Sequence, residues 1–182
     1  MFLKTTSLFL FGVCLLLSGL PSAKAQTALR IGEGVVGGIT KKTPFDATTI
    51  RGLFPQMKVT YLQSESAESV STLRIRDKSD EVIVVYPKSG GKKIHSVVVL
   101  SNAFKNTLGP RIGDTFEAAF GKQKYQCAAG TESMSGYVIC SAPKSTTIKY
   151  VFSGTWNGPD GKLPPANILK KWTIEQITVL FK

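Results

Sequence analysis

Few side chains in this sequence are of the types that catalysis or metal binding demand. There is one histidine and there are three cysteines. His95 lies in Ile94-His95-Ser96-Val97, where strand alternation puts Ile94 and Val97 on different faces, so its side is undecided. A general base needs an orienting partner and a nucleophile within reach, and no neighbouring group offers either; His95 reads as an ordinary strand residue. Asp160 and Glu175 are the other imaginable acid/base pair. Asp160 sits in a Pro159-Asp160-Gly161 turn, where Asp is a standard turn former, and Glu175 alternates outward on a strand. Gly32-x-Gly34 and Gly37-Gly38 are glycine-rich, but no Gly-Lys-Ser/Thr follows and no buried strand precedes Gly32, so a phosphate loop is not expected. Cys127 and Cys140, twelve residues between them and one distant His, cannot supply four zinc ligands. No catalytic residue, metal or cofactor is assigned.

The cysteines are better explained by an address. Lys4 precedes an apolar run from Leu8 to Leu17, which Ser18, Gly19 and Pro21 break before Ala23-Lys24-Ala25. This is a secretory signal pattern with an A-x-A site, so residues 1–25 are expected to be removed after Ala25 and the protein to be periplasmic. The run is short of the roughly 20 apolar residues a spanning helix needs, and no transmembrane span follows it. Lipidation at Cys14 is the less favoured alternative, since Val13 precedes it and the Leu-small-small-Cys order is absent. Cleavage removes Lys4, Lys24 and Cys14 and leaves residues 26–182 as one envelope domain, with 21 basic and 12 acidic residues, a charge of +9. In an oxidising compartment Cys127 and Cys140 form the one possible intrachain disulfide, against the alternative of two free thiols.

The elements that would position any site read mostly as strands. Thr43-Pro44-Phe45-Asp46 predicts a helix start with Thr43 as the cap, running to about Phe54 and stopping before Pro55. Strands are expected at Lys58–Leu62, Thr72–Arg76, Glu81–Tyr86 and Lys93–Leu100. Asp114-Thr115-Phe116-Glu117 repeats the helix start, Gly121 ends that helix, and strands follow at Gln123–Cys127, Gly136–Cys140, Thr147–Phe152 and Trp172–Phe181. The expected fold is α+β: two tandem helix-plus-four-strand units with antiparallel sheet, halves at about 34–104 and 105–182. An internal duplication explains the repeat, with chance similarity as the alternative. One short extra helix is expected near the C-terminus.

The connection from Ser153 to Lys171 is longer than the Pro87-Lys88-Ser89-Gly90-Gly91 turn at the corresponding place in the first half. Length beyond what joining two strands requires is where function tends to sit. Trp156, Asn157, Gly158, Pro159, Asp160 and Gly161 therefore form a candidate interaction loop. The alternative is that Trp156 and Leu163 plug one end of the core, with Pro164 and Pro165 opening a capping helix.

Charge offers a second candidate surface. Arg74 and Arg76 share a strand face, and with Lys88, Lys92 and Lys93 on the adjoining turn they would form a patch for anionic envelope components: lipid A, phospholipid or peptidoglycan. General solubility is an equally good reason for the charge. Nucleic acid is not expected, because no aromatic residues interleave with these clusters as stacking platforms. Ser135-Gly136-Tyr137 is similar to the Ser-Gly-x-Tyr elements of periplasmic lysozyme inhibitors, but an inhibitor of a basic enzyme should be acidic. The tripeptide reads as a turn entering a strand.

Several segments together resemble the RpoE-regulated lipoprotein family of Gram-negative envelope proteins. They are Gly34-Val35-Val36-Gly37-Gly38-Ile39 with Thr43-Pro44-Phe45, Ile112-Gly113-Asp114-Thr115-Phe116, and Cys127 and Cys140 in position. The most specific is Ile148-x-Tyr150-x-Phe152-Ser153-Gly154-x-Trp156-x-Gly158-Pro159-x-Gly161, closed by Leu169-Lys170-x-Trp172. The resemblance implies an α+β fold, an envelope location and no established activity. The expected function is non-catalytic binding or interaction in envelope homeostasis or stress. The alternative is an inhibitor or partner of another protein through the Trp156–Pro165 loop.

Overall fold

The structure, a computed structural model, describes residues 29–63 and 71–182. The expected signal segment, residues 1–25, lies outside the described residues.

The main body is a single antiparallel sheet of eight strands. Its members are β4 (Lys58–Leu62), β5 (Thr72–Asp77), β6 (Asp80–Pro87), β7 (Ile94–Val99), β9 (Cys127–Ala129), β10 (Val138–Ser141), β11 (Ile148–Ser153) and β12 (Thr173–Leu180). The spatial order is β4-β5-β6-β7-β12-β11-β10-β9. A small sheet, ordered β3-β2-β1-β8, joins β1 (Arg30–Gly32), β2 (Val35–Val36), β3 (Ile39–Thr40) and β8 (Lys105–Asn106); β8 runs parallel to β1. The helices are α1 (Ala47–Leu53), α2 (Phe116–Phe120) and α3 (Ala166–Leu169).

This corrects the expected α+β architecture. The described residues form twelve strands in two sheets, and the helices have only seven, five and four residues. The fold is β-rich, and the expected helix-plus-strand units do not stand apart, because β7 and β12 pair from Val99↔Ile177 to Ser96↔Leu180 and make one continuous sheet. The helices are short for local reasons. In α1, Asp46 is the cap in place of the expected Thr43: its carboxylate accepts from the backbone N–H of Thr48 (2.9 Å) and Thr49 (3.3 Å). The Thr43 hydroxyl is taken by the N–H of Thr40 at 3.0 Å. In α2 the Thr115 hydroxyl accepts from Ala118 N at 3.1 Å, and Gly121 ends the helix at φ 55°, a conformation costly for any side chain. The short helix expected after Pro165 is α3.

Alternation decides most of what the sheet buries, although Val84 and Val151, out of phase with it, are buried as well. Leu73, Ile75, Ile83, Val85, Val97, Val99, Ile148, Tyr150, Phe152, Ile177 and Val179 pack into one core with Ile31, Val36 and Ile39 of the small sheet, Ile50 of α1 and Phe116 and Phe120 of α2. Each fully buried side chain of this size contributes about 1.5–3 kcal/mol relative to exposure. The undecided side of His95 has a structural answer. The register shifts between Tyr86↔Ser96 and Pro87↔Ile94, so His95 is the extra residue of a bulge. Ile94 and Val97 are both buried and His95 is exposed.

The layers are tied by a buried polar cluster. Asn106 of β8 donates to the Tyr150 hydroxyl at 2.9 Å and to Pro110 O at 2.8 Å, and accepts from Leu108 N at 3.1 Å. Burial raises the Tyr150 pKa, partly opposed by the Asn106 bond. At another contact the Glu33 carboxylate, in the β1–β2 turn, accepts from the Ser145 hydroxyl and from Thr146 N (3.1 Å) and Thr146 Oγ1 (3.0 Å). The Ser145 bond leads the causes that lower the Glu33 pKa.

Candidate functional site

The loop singled out for its length forms one wall of a surface cleft of about 240 Å3. The pairing explains why. Val138 of β10 faces Phe152 of β11, so the residues just before Val138 and just after Phe152 emerge at the same end of the sheet. The β9–β10 hairpin contributes Ser135, Gly136 and Tyr137; the β11–β12 connection contributes Gly154, Trp156, Gly158, Pro159, Asp160, Gly161, Lys162 and Pro164; Trp172 closes the floor.

Both tryptophans of the chain line this cleft. Each indole rests on a glycine. A Cβ added at Gly158 would lie 2.0 Å from Trp156 Cζ2, and one at Gly154 would lie 2.2 Å from Trp172 Cδ1. Only backbone without a side chain can approach these rings so closely. Trp156 is half-buried and packs against the core edge, whereas Trp172 is 5% exposed. The Trp172 indole N–H is buried and has no hydrogen-bond partner among the described residues, a deficit that ordinarily costs about 1–3 kcal/mol.

Polar contacts bridge the walls. The Ser135 hydroxyl donates to Asp160 Oδ1 at 2.6 Å, and the Tyr137 hydroxyl donates to Glu175 Oε1 at 3.4 Å. Glu175 is the unpaired residue where β11 and β12 change register, between Phe152↔Ile174 and Val151↔Gln176, and it is exposed. Asp160 and Glu175 are thus each held to the β9–β10 hairpin. Asn157 is exposed at the loop tip. The plugging alternative is realised in part: Trp156 and Pro164 pack inward, while Leu163 is 41% exposed.

The hairpin wall is covalently held. Cys127 and Cys140 are directly paired across β9 and β10 and form the expected disulfide, with Cα atoms 4.0 Å apart.

The basic residues are placed in two groups. Arg74 pairs with Glu81 at 2.6 Å, and Arg76 lies 3.9 Å from the same carboxylate. Lys88, Lys92 and Lys93 occupy the turn at the other end of β6. At about 3.3 Å per residue, Glu81 and Lys88 are roughly 20 Å apart along the strand. A further basic cluster, Lys41, Lys42 and Lys182, lines a depression of about 530 Å3 that Glu33 also lines, at the opposite end of β11 and β12 from the tryptophan cleft. Among the described residues no group of three or more His, Cys, Asp or Glu converges, and no helix is long and apolar enough to cross a membrane.

The sequence alone points to Trp156 to Gly161, whereas Ser135-Gly136-Tyr137 reads as a turn and Trp172 as the start of a strand. The signal that unites them is register: strands ending at Val138 and Phe152 must share an end.

Fold and cleft together define a β-rich, two-sheet protein with an aromatic-walled surface cleft. The chain belongs to the DUF1131 family, described as "Protein of unknown function", which it matches over residues 19–180. It is 32% identical over 100 residues to the uncharacterized protein YfeY of Escherichia coli strain K12, a stretch that is 55% of this chain and 52% of that protein. The chain thus spans about half the length of the curated relative it matches. Its fold is similar to the crystal structure of the uncharacterized protein YfeY from E. coli, with a TM-score of 0.69 and 24% identity over 83% of this chain and 99% of that one. The family expected from the sequence segments is therefore the one found: YfeY-like.

Proposed function

We propose that this chain is a non-catalytic binding protein of the periplasm, acting in envelope homeostasis or stress, and that its working surface is the tryptophan cleft. One observation carries the assignment of the surface: the loop longer than strand joining requires, the aromatic residue of the opposite hairpin and both tryptophans converge on one concavity. Clefts with aromatic walls and a few convergent polar groups are where ligands and partner side chains are taken. The compartment is supported by the signal pattern at residues 1–25 and by the Cys127–Cys140 bridge, which suits an oxidising environment. Anionic envelope components, if bound, would meet the Lys88, Lys92 and Lys93 turn first, since Glu81 partly neutralises Arg74 and Arg76; such binding would weaken steeply with salt.

The test has two parts. Osmotic-shock fractionation and intact mass should find a chain beginning at Gln26 in the periplasmic fraction; retention of the first 25 residues in the cytoplasm overturns the location. A photo-crosslinking residue at Asn157 should capture an envelope component that the same residue at Lys182, at the far end of the sheet, does not. Equal capture at both positions overturns the cleft as the working surface. Capture of a single protein at Asn157 would support the inhibitor-or-partner form of this reading.

A further inference from the structure

We infer that the cleft takes an uncharged saccharide unit, with one sugar face against Trp156 and ring hydroxyls on Asp160 and Ser135. The inference rests on the cleft being the binding surface and adds its ligand class. Size limits the choice first. At about 240 Å3 the cleft is below the usual range of about 300–1,000 Å3 for drug-sized ligands, which suits a single sugar ring.

Charge limits it next. The lining holds one carboxylate, Asp160, and one ammonium, Lys162, with Glu175 beside Tyr137. An ion of either sign thus meets repulsion from one group and attraction from the other, so the lining holds no one-signed field to select a charged ligand, and a neutral ring meets no repulsion. The remaining groups match the two-sided character of a sugar. Trp156 offers an apolar ring at the surface, half-buried and resting on Gly158. Asp160 uses one oxygen on the Ser135 hydroxyl; a carboxylate has about four acceptor positions, so most of its capacity is open to donors such as vicinal hydroxyls. The Ser135 oxygen can still accept. The buried indole N–H of Trp172, which has no partner among the described residues, lies under the Gly154 backbone and out of direct reach of a ligand.

The chain provides its own reporter, because both tryptophans lie in the cleft. The full protein is screened on an array of uncharged and charged glycans, and hits are titrated by tryptophan emission, with tetramethylammonium chloride and inorganic phosphate as ionic controls. Uncharged saccharides should bind saturably. Trp156→Ala should weaken binding on the order of tenfold or more, Asp160→Asn should weaken it severalfold, and Lys182→Ala should leave it unchanged. Gly158→Ala, which displaces the Trp156 ring while leaving its chemistry intact, covers the case in which Trp156→Ala misfolds. A saturable response to either ion without saccharide binding overturns the saccharide assignment, as does an array without hits while Asn157 still captures a protein. Capture that does not distinguish Asn157 from Lys182 overturns the cleft reading itself.

Discussion

Replacing Gly154 and Gly158 separately by alanine should have opposite consequences, although the two sites look alike. Neither glycine adopts a positive φ, so an alanine there meets no backbone strain and only the ring contacts matter. At Gly154 the new Cβ would lie 2.2 Å from Trp172 Cδ1 and 2.4 Å from Nε1. Ordinary carbon contacts are about 3.5–4.0 Å, so something must retreat by roughly 1.5 Å. Trp172 is 5% exposed and part of the core cluster, and forced expansion of a packed core costs about 1–3 kcal/mol. With total stabilities of about 5–15 kcal/mol and shifts of about 2–4 °C per kcal/mol for chains of this length, Gly154→Ala should lower Tm by roughly 2–12 °C. At Gly158 the clash is closer, 2.0 Å to Trp156 Cζ2 and 2.2 Å to Cε2, but this ring is half-buried at the core edge rather than within the core. The ring can swing outward, so stability should change by no more than about 0.5 kcal/mol while the Trp156 emission moves. Urea unfolding by far-UV circular dichroism gives the stability change, and Trp172→Phe and Trp156→Phe backgrounds separate the emissions. Equal destabilisation by the two alanines, with Trp156 emission unchanged in Gly158→Ala, would refute the reasoning, because the ring would then be immovable and the backbone would carry the strain.

Three further outcomes follow from the same contacts. Asn106→Ala removes three hydrogen bonds inside the fold and should cost about 3–4 kcal/mol at about 1 kcal/mol each plus stranded groups; Tyr150→Phe should cost less, and the double mutant should show a coupling of about 0.5–3 kcal/mol, with strict additivity counting against a direct link. Removing the bridge by Cys127→Ser with Cys140→Ser frees a 13-residue separation and should cost about 3 kcal/mol by loop entropy, read from denaturant midpoints; an unchanged midpoint would mean the hairpin is held by its neighbours alone. The hydrogen bonds of Glu33 depress its folded pKa, so the unfolded chain binds the extra proton first: the contribution is complete above about pH 4.3, the ordinary Glu value, and disappears as pH falls through the folded value. Glu33→Gln should flatten that acid limb in a stability-versus-pH series, and screening at this exposed site keeps the effect small.

The strands of the large sheet could be read from alternation because one face is buried. β4 has the expected bounds, and β5, β6, β7, β11 and β12 end within one residue of them. β1, β2, β3 and β8 have two or three residues each, too few for any period, and the glycines among the first three read as loop. The strand expected at Gln123–Cys127 begins instead at Cys127. Gln126 O still accepts from Ser141 N of β10 at 2.9 Å, while Tyr125 before it packs edge-on against Phe116 of α2, 4.8 Å between ring centroids. A bulge hid the side of His95 from any fixed alternation, opposite Tyr86 and Pro87; Glu175 sits at a second bulge but points outward, as alternation predicts. Of the candidate site, the Trp156–Gly161 wall was readable as excess length. Ser135, Tyr137 and Trp172 were not, since they join it only through the β10–β11 and β11–β12 registers.

The two walls of the cleft are secured by different means, and the difference follows from where they lie in the sheet. The β11–β12 connection springs from strands deep in the sheet and is anchored at both ends by buried rings, Phe152 and Trp172. The facing hairpin has no such support. β9 has three residues and pairs only with β10 at the sheet edge, an arrangement that frays unless something restrains it. The Cys127–Cys140 bond joins the two strands at their paired residues, and the Ser135–Asp160 bond ties the hairpin tip to the opposite loop. A binding site on an edge hairpin would otherwise have to be ordered by its ligand, at a cost in affinity of about 0.5–1.5 kcal/mol for each immobilised side chain. If the cleft binds as proposed, covalent closure of the hairpin would remove part of that cost before any ligand arrives, so the disulfide would act on the readiness of the cleft as well as on the stability of the fold.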